Sequence, residues 1–389
     1  MTRTTLALTA DTLDGMIAAG SGLLLLRPVT GETYTAMGQR VTDQETDLHV
    51  EFGPATARGL TLARHGAELQ VSGDIPHPDG DRRHVDVVRV VGERIELHLN
   101  SPRGPVGTSF DRQVRAFGAA GQEILAGLHV GVVGAGGTGS AVCEQLIRLG
   151  VGHITVIDHD VITETNVTRV WGSTSEDVGL AKVHVVERSA EAIRLGTTVT
   201  PIIGTVADEA PARSLRHCDV VFGCTDDNLG RTVLARLSYM YLVPVFDMGV
   251  KIDARGDAVT GIDGRLTYMA PGLPCIVCRG WIDFAQLDAE GLPEAERVAL
   301  AAEGYVAGHG EPDPSVIAYT TAVAAHAVAD LLARLFGHGD IPPPNQLIQF
   351  HNHATRTPGG EGTPGHFCGD PSMIGAGDLP RFLDRGWPT

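Results

Sequence analysis

Two patterns of apolar and polar residues divide this chain of 389 residues. From residue 129 onward, short apolar runs alternate with longer stretches in which apolar residues recur at helical spacing. The runs at Val130–Val133, Ile154–Ile157 and Asp219–Gly223 are rich in Val and Ile, as expected of parallel strands buried on both faces. Helices are predicted over Ser140–Leu149 and Val316–Phe336. This alternation predicts an α/β fold on a Rossmann-like parallel sheet.

Residues 1–108 show a different pattern, in which strand-like runs are separated by turn signals such as Pro78-Asp79-Gly80. The runs are Gly22–Arg27, Leu48–Phe52, Leu69–Ser72, Val85–Val91 and Arg94–Leu99. We therefore expect a small α+β domain over residues 1–108, followed by the Rossmann-like domain over residues 109–340. A Pro-rich connector leads into residues 341–389, with an edge strand at Gln346–Phe350 and a Gly- and Pro-rich tail.

The loop after the first strand has the spacing of a phosphate-binding turn. Gly134, Gly136 and Gly139 stand in G-x-G-x-x-G order, with Gly137 between them. The first two allow a tight turn and a close approach of phosphate, and the last lets the next helix pack on the sheet. Asp158 ends the second strand, where an acidic residue normally accepts ribose hydroxyls. The pattern predicts a nucleotide site but does not distinguish NAD from ATP.

Further polar residues follow at the ends of successive predicted elements. Asn166 and Arg169 come after the second strand, Lys182 begins a predicted helix, and Asp226 follows the strand that ends at Gly223. Cationic side chains suit a triphosphate, and an Asp at this edge of a sheet suits Mg²⁺. Taken singly, each residue would be a solvated surface charge. Their joint placement favours a nucleotide triphosphate site.

Together these motifs resemble the ThiF/MoeB/ubiquitin-activating enzyme superfamily over about Phe110–Gly337. The matching motifs are GAGGTGS, the D-x-D of Asp158 and Asp160, the N-x-x-R of Asn166 and Arg169, VGLAK ending in Lys182, and TDDN, which comprises Asp226, Asp227 and Asn228 and is followed one turn later by Arg231, a further cation for the triphosphate. The resemblance implies adenylation of a carboxylate by ATP and Mg²⁺. The substrate is then expected to be the C-terminus of a ubiquitin-like or sulfur-carrier protein, or of a peptide.

The resemblance also assigns roles to individual residues. Asp158 would bind the ribose of ATP, and Asn166, Arg169 and Lys182 would hold its phosphates. Asp226 would bind Mg²⁺, and the glycine turn with Asp160, Asp227 and Asn228 would complete the ATP site.

Upstream, the pair Arg112-Gln113 matches a short helix of the superfamily, in which the arginine reaches the ATP site of a partner subunit. This implies a homodimer. The segment between this pair and Gly121 is slightly shorter than in the superfamily, so Arg115 is an alternative to Arg112 as the arginine that reaches the partner subunit.

Six cysteines in 389 residues are too few for a disulfide framework. Cys275 and Cys278 form the C-x-x-C pair that is half of a structural zinc site in the superfamily. The second pair is incomplete here, since only Cys368 and His366 stand downstream, so the alternatives are a mixed Cys/His zinc site and two buried thiols.

No cysteine occurs between Gly280 and Ser315, where thioester-forming members carry one. We therefore expect the reaction to end at the acyl-adenylate, or to continue with an external nucleophile.

Composition narrows the remaining function classes. The net charge of −17 argues against binding nucleic acid or an anionic membrane surface. The apolar stretch 316–336 contains Asp330 and Arg334, so we interpret it as a buried helix and not as a membrane span. A cytoplasmic protein is expected, since the first residues have no apolar core of the signal-peptide type.

Two alternatives to the adenylyltransferase stay open, an NAD(P)-dependent oxidoreductase and a non-catalytic scaffold for a ubiquitin-like partner. Some relatives carry a JAB-type metalloprotease domain at the position of residues 1–108, but the ligand pattern of that domain is missing here. We therefore interpret these residues as a non-catalytic module, either a degenerate JAB-like remnant or a part that recognises substrate.

Overall fold

The computed structural model places the strands of the chain in two large sheets, one before residue 101 and one after residue 128. The structure describes residues 4–19, 22–28, 33–38, 48–52, 60–65, 68–72, 74–76, 82–100, 106–255, 258–292, 296, 314–377 and 381–387.

The first sheet has eight strands in the order β10-β9-β1-β3-β2-β4-β5-β6, and β7 and β8 form a separate small sheet. The elements are β1 (Thr5–Thr9), α1 (Ala10–Ala19), β2 (Gly22–Pro28), β3 (Thr33–Gly38), β4 (Leu48–Phe52), β5 (Leu60–His65), β6 (Glu68–Ser72), β7 (Asp74–Pro76), β8 (Arg82–His84), β9 (Val87–Val91) and β10 (Ile95–Leu99). The five strands predicted in this part are confirmed, with bounds shifted by at most two residues. The strands β1, β3, β5, β7 and β8 were not predicted, and the turn predicted at residues 78–80 lies outside the described residues.

The first strand lies inside this sheet rather than at its rim. β1 pairs in parallel with β9 on one side and with β3 on the other. Its residues Leu6, Ala7 and Leu8 are completely buried. The sequence TLALT has three consecutive apolar residues, as expected of a strand that is buried on both faces.

The second sheet has the order β13-β12-β11-β14-β15-β16-β17-β18. The elements of this part are α2 (Asp111–Gly127), β11 (His129–Val133), α3 (Gly137–Leu149), β12 (His153–Asp158), α4 (Lys182–Ile193), β13 (Thr198–Ile203), α5 (Glu209–Ser214), β14 (Val220–Gly223), α6 (Asn228–Met240), β15 (Val245–Arg255), β16 (Ala258–Met269), α7 (Phe284–Glu290), α8 (Ile317–Phe336), β17 (Asn345–Gln349) and β18 (Ala354–Arg356).

The five strands from β13 to β15 are parallel, and β16, β17 and β18 continue the sheet in antiparallel pairing. The predicted α/β fold with a Rossmann-like sheet is therefore confirmed. The expectation that residues 346–350 form an edge strand was wrong, because β17 pairs with β16 and also with the three-residue β18.

The order of the parallel strands reverses between β11 and β14, which are neighbours although β12 and β13 intervene in the chain. In open α/β sheets, ligands bind in the crevice at the carboxyl ends of the strands at such a point. The glycine turn follows β11, and the segment Cys224–Asp227 follows β14, so both meet at this crevice.

Both sheets contribute to one hydrophobic core. Ala7, Val87 and Ile95 of the first sheet belong to the same buried cluster as Val130 and Leu125 of the second part. Removing either half would therefore expose apolar surface of the other.

Buried polar groups also join the halves. Arg89 is 1% exposed and donates to the carbonyls of Cys218 (2.7 Å) and Leu242 (3.1 Å), and it pairs with Asp219 at 3.2 Å. The hydroxyl of Tyr268 donates to the Gly92 carbonyl at 2.8 Å.

The long helix α8 carries a second buried ion pair, between Arg334 and Asp330 at 2.5 Å. Arg334 also donates to the carbonyls of Glu93 (2.6 Å) and Pro342 (2.7 Å), so one side chain connects three parts of the chain. Within the described residues, we find no helix with both the length and the apolar character needed to cross a bilayer.

Candidate functional site

The glycine turn between β11 and α3 has the geometry its spacing predicts. Gly134 has a φ of +88°, and a Cβ on it would lie 2.7 Å from the carbonyl oxygen of Cys224. A Cβ on Gly139 would lie 1.7 Å from the Gly134 carbonyl oxygen, whereas a Cβ on Gly136 would meet no atom within 4 Å. Gly134 and Gly139 are thus required by packing, and Gly136 faces open space next to the start of α3. A helix N-terminus beside open space suits an anionic phosphate.

Asp158, at the end of β12, stabilises this turn. It is 8% exposed, and its Oδ2 accepts from the backbone N–H of Ala135 at 2.6 Å. Its Oδ1 accepts from the N–H of Asp160 at 2.8 Å. The carboxylate therefore connects the glycine turn to the loop after β12. Its predicted contact with a ribose stays a prediction.

Lys182 and Asp160 form an ion pair beside this loop. The Nζ of Lys182 donates to Asp160 Oδ2 at 2.7 Å, and the Lys182 N–H donates to the Asp160 carbonyl at 3.0 Å. Lys182 is 8% exposed, whereas about half of the Asp160 side chain is exposed. Partial burial alone would raise the pKa of Asp160, but the hydrogen bond and charge of Lys182 lower it below its ordinary value. The ammonium group of Lys182 is therefore held in place, and an anionic ligand can take the place of the half-exposed Asp160 as its partner.

The loop between β12 and α4 brings Asn166 and Arg169 to the start of α3. Asn166 is buried, and its Oδ1 accepts from the Thr163 N–H at 3.3 Å. Arg169 donates to the Thr165 carbonyl at 2.8 Å. A Cβ on Gly137 would lie 3.5 Å from Cδ of Arg169. The side chain of Arg169 therefore runs along the first turn of α3.

A second ion pair holds the far end of this loop. Asp177 is 4% exposed and receives hydrogen bonds from both Nη atoms of Arg188, one of them at 2.8 Å. Arg188 also donates to the Gly172 carbonyl at 2.9 Å, and the Thr174 N–H donates to Asp177 at 2.7 Å. Hydrogen bonding from Arg188 holds the pKa of Asp177 well below its usual range. This pair was not predicted from the sequence, and it holds the loop that carries Asn166 and Arg169.

The segment after β14 presents an exposed acid, a half-buried acid and a buried amide. Asp226 is exposed, and its carboxylate has no hydrogen-bond or ion-pair partner among the described residues. Asp227 instead caps α6 by accepting from the Gly230 N–H. Asn228 is buried and accepts from the Asp283 N–H at 3.1 Å. Of these three, Asp226 is the residue free to hold a cation.

Sequence reasoning missed three residues that contact α6 or its neighbours, namely Glu290, Asp247 and Arg265. Glu290, at the end of α7, accepts from the Leu229 N–H at 2.7 Å. Asp247 on β15 is completely buried between Arg231 and Arg265. An Asp inside the apolar run VPVFDMGV was the available signal, because a buried carboxylate requires a partner.

Arg112 lies away from the glycine turn. Its neighbour Gln113 donates to the Arg148 carbonyl at 2.9 Å, near the end of α3. At a rise of about 1.5 Å per residue, that is roughly 16 Å along α3 from Gly137. Arg112 is exposed and its side chain has no partner among the described residues, whereas Arg115 pairs with Asp111 at 2.7 Å. The structure therefore does not bring Arg112 into the site of its own chain.

The four predicted zinc ligands do come together. Nδ1 of His366 lies 3.5 Å from Sγ of Cys275, 3.3 Å from Sγ of Cys278 and 3.3 Å from Sγ of Cys368. The sulfurs of Cys278 and Cys368 are 3.6 Å apart. Tetrahedral zinc with three thiolates and one imidazole requires ligand separations of about 3.5–3.8 Å. The donor set and its spacing therefore fit a zinc ion.

Comparison with known proteins adds three findings. The molybdopterin-synthase adenylyltransferase of Salmonella typhimurium is 32% identical over 171 residues, which cover 43% of this chain and 66% of that protein. The SAMP-activating enzyme E1 of Haloferax volcanii is 27% identical over 176 residues, covering 44% of this chain and 62% of that protein. The crystal structure of E. coli MccB with ATP is similar with a TM-score of 0.53 at 18% identity, covering 68% of this chain and 75% of MccB.

The likeness to MccB shows a shared fold, and the chain spans less than two thirds of the length of the two curated relatives. A model of the ThiF family matches residues 110–359, which is more than half of the chain and includes the glycine turn, Lys182 and Asp226. The chain therefore belongs to the ThiF family.

Proposed function

We propose that this protein uses ATP and Mg²⁺ to adenylate a carboxylate. The proposal is supported by the contacts around the open glycine turn: Asp158 links the turn to the Lys182–Asp160 pair, and the Arg169 side chain lies beside Gly137. Asp226, whose carboxylate has no partner among the described residues, comes two residues after Cys224, which lies against Gly134.

The reaction places two anions in contact, because an ionised carboxylate oxygen must attack the α-phosphorus of ATP. A new C–O–P bond forms, the bond from the α-phosphorus to the bridging oxygen breaks, and pyrophosphate leaves with the electron pair. Lys182 and Arg169 would stabilise charge on the phosphates, and Mg²⁺ on Asp226 would screen it further. The substrate carboxylate is already ionised at neutral pH, so no protein base is required.

The substrate we expect is the C-terminus of a protein or a peptide. Supporting this, one relative is named a SAMP-activating enzyme E1 and another a sulfur carrier protein ThiS adenylyltransferase, and MccB has been crystallised with MccA. Family membership together with the retained Asn166, Arg169 and Lys182 supports an adenylyltransferase over an oxidoreductase or a scaffold.

The test is ATP–pyrophosphate exchange with candidate carboxylate substrates. Asp226→Ala should lower exchange by about 10²–10³, as expected when one charge-stabilising contact is lost. Asp208→Ala is a matched control, since Asp208 is an exposed acid at the start of another helix, α5. Equal exchange by the wild type and Asp226→Ala would remove Asp226 from the mechanism.

We also propose that the acyl-adenylate is not passed to a cysteine of this chain, because residues 280–315 contain none. Incubation with ATP and substrate should yield no adduct that survives denaturation and is released by reductant. Such an adduct would overturn this part of the proposal.

The Cys275, Cys278, His366 and Cys368 group is proposed as a structural zinc site, since a closed set of four protein ligands leaves no position for substrate. Hydrogen bonding from Cys275 lowers the pKa of Cys368 to about 4, which favours the thiolate. Elemental analysis should find one zinc per chain.

We propose a homodimer in which Arg112 completes the site of the neighbouring subunit. The free and exposed guanidinium of Arg112 supports this. Mixing inactive Arg112→Ala with inactive Asp226→Ala should restore part of the activity, because a mixed dimer contains one intact site. No recovery after subunit exchange would contradict the arrangement.

The module of residues 1–108 is proposed to recognise substrate. Its deletion is not a suitable test, because Arg89 and the shared core join it to the rest of the chain. Cross-linking of bound peptide followed by mass spectrometry is the appropriate measurement, and adducts confined to residues beyond 108 would contradict the proposal.

A further inference from the structure

Three charged side chains, Arg231, Asp247 and Arg265, lie together at the end of β14 that leads to Asp226. We call this group the Arg–Asp–Arg cluster. Asp247 on β15 is completely buried and lies between Arg231 of α6 and Arg265 of β16. β15 pairs with β14, and Asp247 stands opposite Gly223, the last residue of β14. The cluster therefore lies at the same edge of the sheet as the proposed magnesium ligand.

The two arginines of this cluster differ in how well they are satisfied. Arg265 donates to Asp247 Oδ1 and to Thr267 Oγ1 (3.1 Å), and its guanidinium lies 5.5 Å from the ring centre of Trp281. Arg231 has only a long contact, 3.8 Å from its Nε to Asp247 Oδ2. Neither of these two buried atoms has a hydrogen-bond partner in the part of the chain that the structure describes.

The cluster therefore has two positive charges for one negative charge, and the surplus is on Arg231. Burial of an unpaired charge is costly, so a site of this kind favours an anion.

The outer end of Arg231 faces a place without a side chain. A Cβ on Gly249 would lie 3.5 Å from Nη2 of Arg231, so the glycine leaves the guanidinium accessible. About one sixth of the Arg231 side chain is exposed, and its Nη atoms have no hydrogen-bond partner among the described residues. A guanidinium held from behind by Asp247 and open in front is suited to bind a carboxylate through two parallel hydrogen bonds.

We infer that Arg231 binds the terminal carboxylate of the substrate, with Asp247 and Arg265 as positioning residues. This inference rests on the proposed adenylation and names the group that recognises the acceptor. Arg231 stands in the first turn and a half of α6, which follows directly on Asp226 and Asp227. A carboxylate held there would enter the crevice in which the phosphates are expected.

The test compares two probes that differ in a single group, N-acetylglycylglycine and its C-terminal amide. Each is titrated by ligand-observed NMR against the full-length protein loaded with Mg²⁺ and α,β-methylene-ATP, which prevents turnover. The wild type should bind the acid at least about tenfold more tightly than the amide, the scale of a hydrogen bond to a charged group. Arg231→Gln should abolish this preference, and Arg231→Lys should retain part of it.

Arg148→Gln serves as the matched control, because Arg148 is an arginine at the distant end of α3. Thermal melting of each variant shows whether it is folded. A wild type without preference for the acid, or an Arg231→Gln variant that keeps the preference, overturns the inference.

The positioning role of Asp247 has its own measurement. Asp247→Asn should reduce the acid-to-amide ratio while the affinity for the ATP analogue stays equal to that of the wild type. A lower melting temperature with an unchanged ratio would show that Asp247 is purely structural. Failure to bind the ATP analogue would overturn the proposed function instead, and the ratio measured on nucleotide-free protein would still decide the role of Arg231.

Discussion

Replacing Asp177 with Asn should loosen the loop that carries Asn166 and Arg169. Asp177 is almost fully buried and receives hydrogen bonds from Arg188, from the Thr174 N–H and from the Thr174 hydroxyl. An Asn side chain keeps one acceptor oxygen but turns an NH₂ group toward one of these donors. The variant therefore loses the ion pair and places two donors against each other.

The size of the effect follows from the contacts. Hydrogen bonds to charged groups contribute about 1.5–3 kcal/mol each. The Arg188 side chain is about half exposed, so solvent screens part of its interaction. We expect a loss of about 3 kcal/mol in the free energy that orders the loop. If the ordered loop is required for ATP binding, the apparent Kd rises as the ordered fraction falls, and a loss of about 3 kcal/mol sets an upper limit of about a hundredfold on that increase.

Calorimetric titration with MgATP and thermal melting of Asp177→Asn would measure both quantities, with Asp208→Asn as the control for loss of an exposed acid. Unchanged ATP affinity in a variant with a lowered melting temperature would refute the link between this ion pair and the phosphate site. The lowered pKa of Asp177 also determines how its contribution to the stability of the fold depends on pH. Its stabilisation is complete above the unfolded-state pKa of about 3.9 and is lost as the pH falls toward the folded-state pKa.

Further predictions concern the turn, the zinc ligands and the contact between the two halves. Gly139→Ala should prevent formation of the turn and lower the melting temperature. Gly136→Ala should fold normally, because its Cβ meets no protein atom, and should still lose ATP affinity. Thermal melting and ATP titration together distinguish the two variants, and equal melting temperatures would contradict the clash at Gly139. Cys278→Ser should release the metal, seen as less than one zinc per chain by mass spectrometry, and retention of a full equivalent would exclude Cys278 as a ligand. Arg89→Ala should destabilise the protein by about 3–5 kcal/mol in urea unfolding, because it removes one partner of a buried ion pair; a change below about 1 kcal/mol would show that water replaces the arginine.

Local signals predicted most of the residues that the structure brings to the candidate site. The glycine turn, Asp158 and Lys182 are each marked by neighbouring residues, because turn geometry and strand ends depend on nearby sequence. The Asp247–Arg265 pair was missed because its partners meet only across the β15–β16 hairpin. The short strand β18 was missed because three residues carry no usable period, and this made β17 look like an edge.

The position of β1 has a consequence for how the chain acquires its structure during synthesis. Thr5 pairs with Val87, and Arg89 then reaches Asp219, 130 residues further on. The first hundred residues therefore emerge from the ribosome with their apolar face uncovered until the Rossmann-like part follows. Such non-local pairing slows folding and exposes unpaired strands meanwhile. We expect the yield of native protein to depend on translation rate and on chaperones more strongly than for a chain whose two sheets close separately.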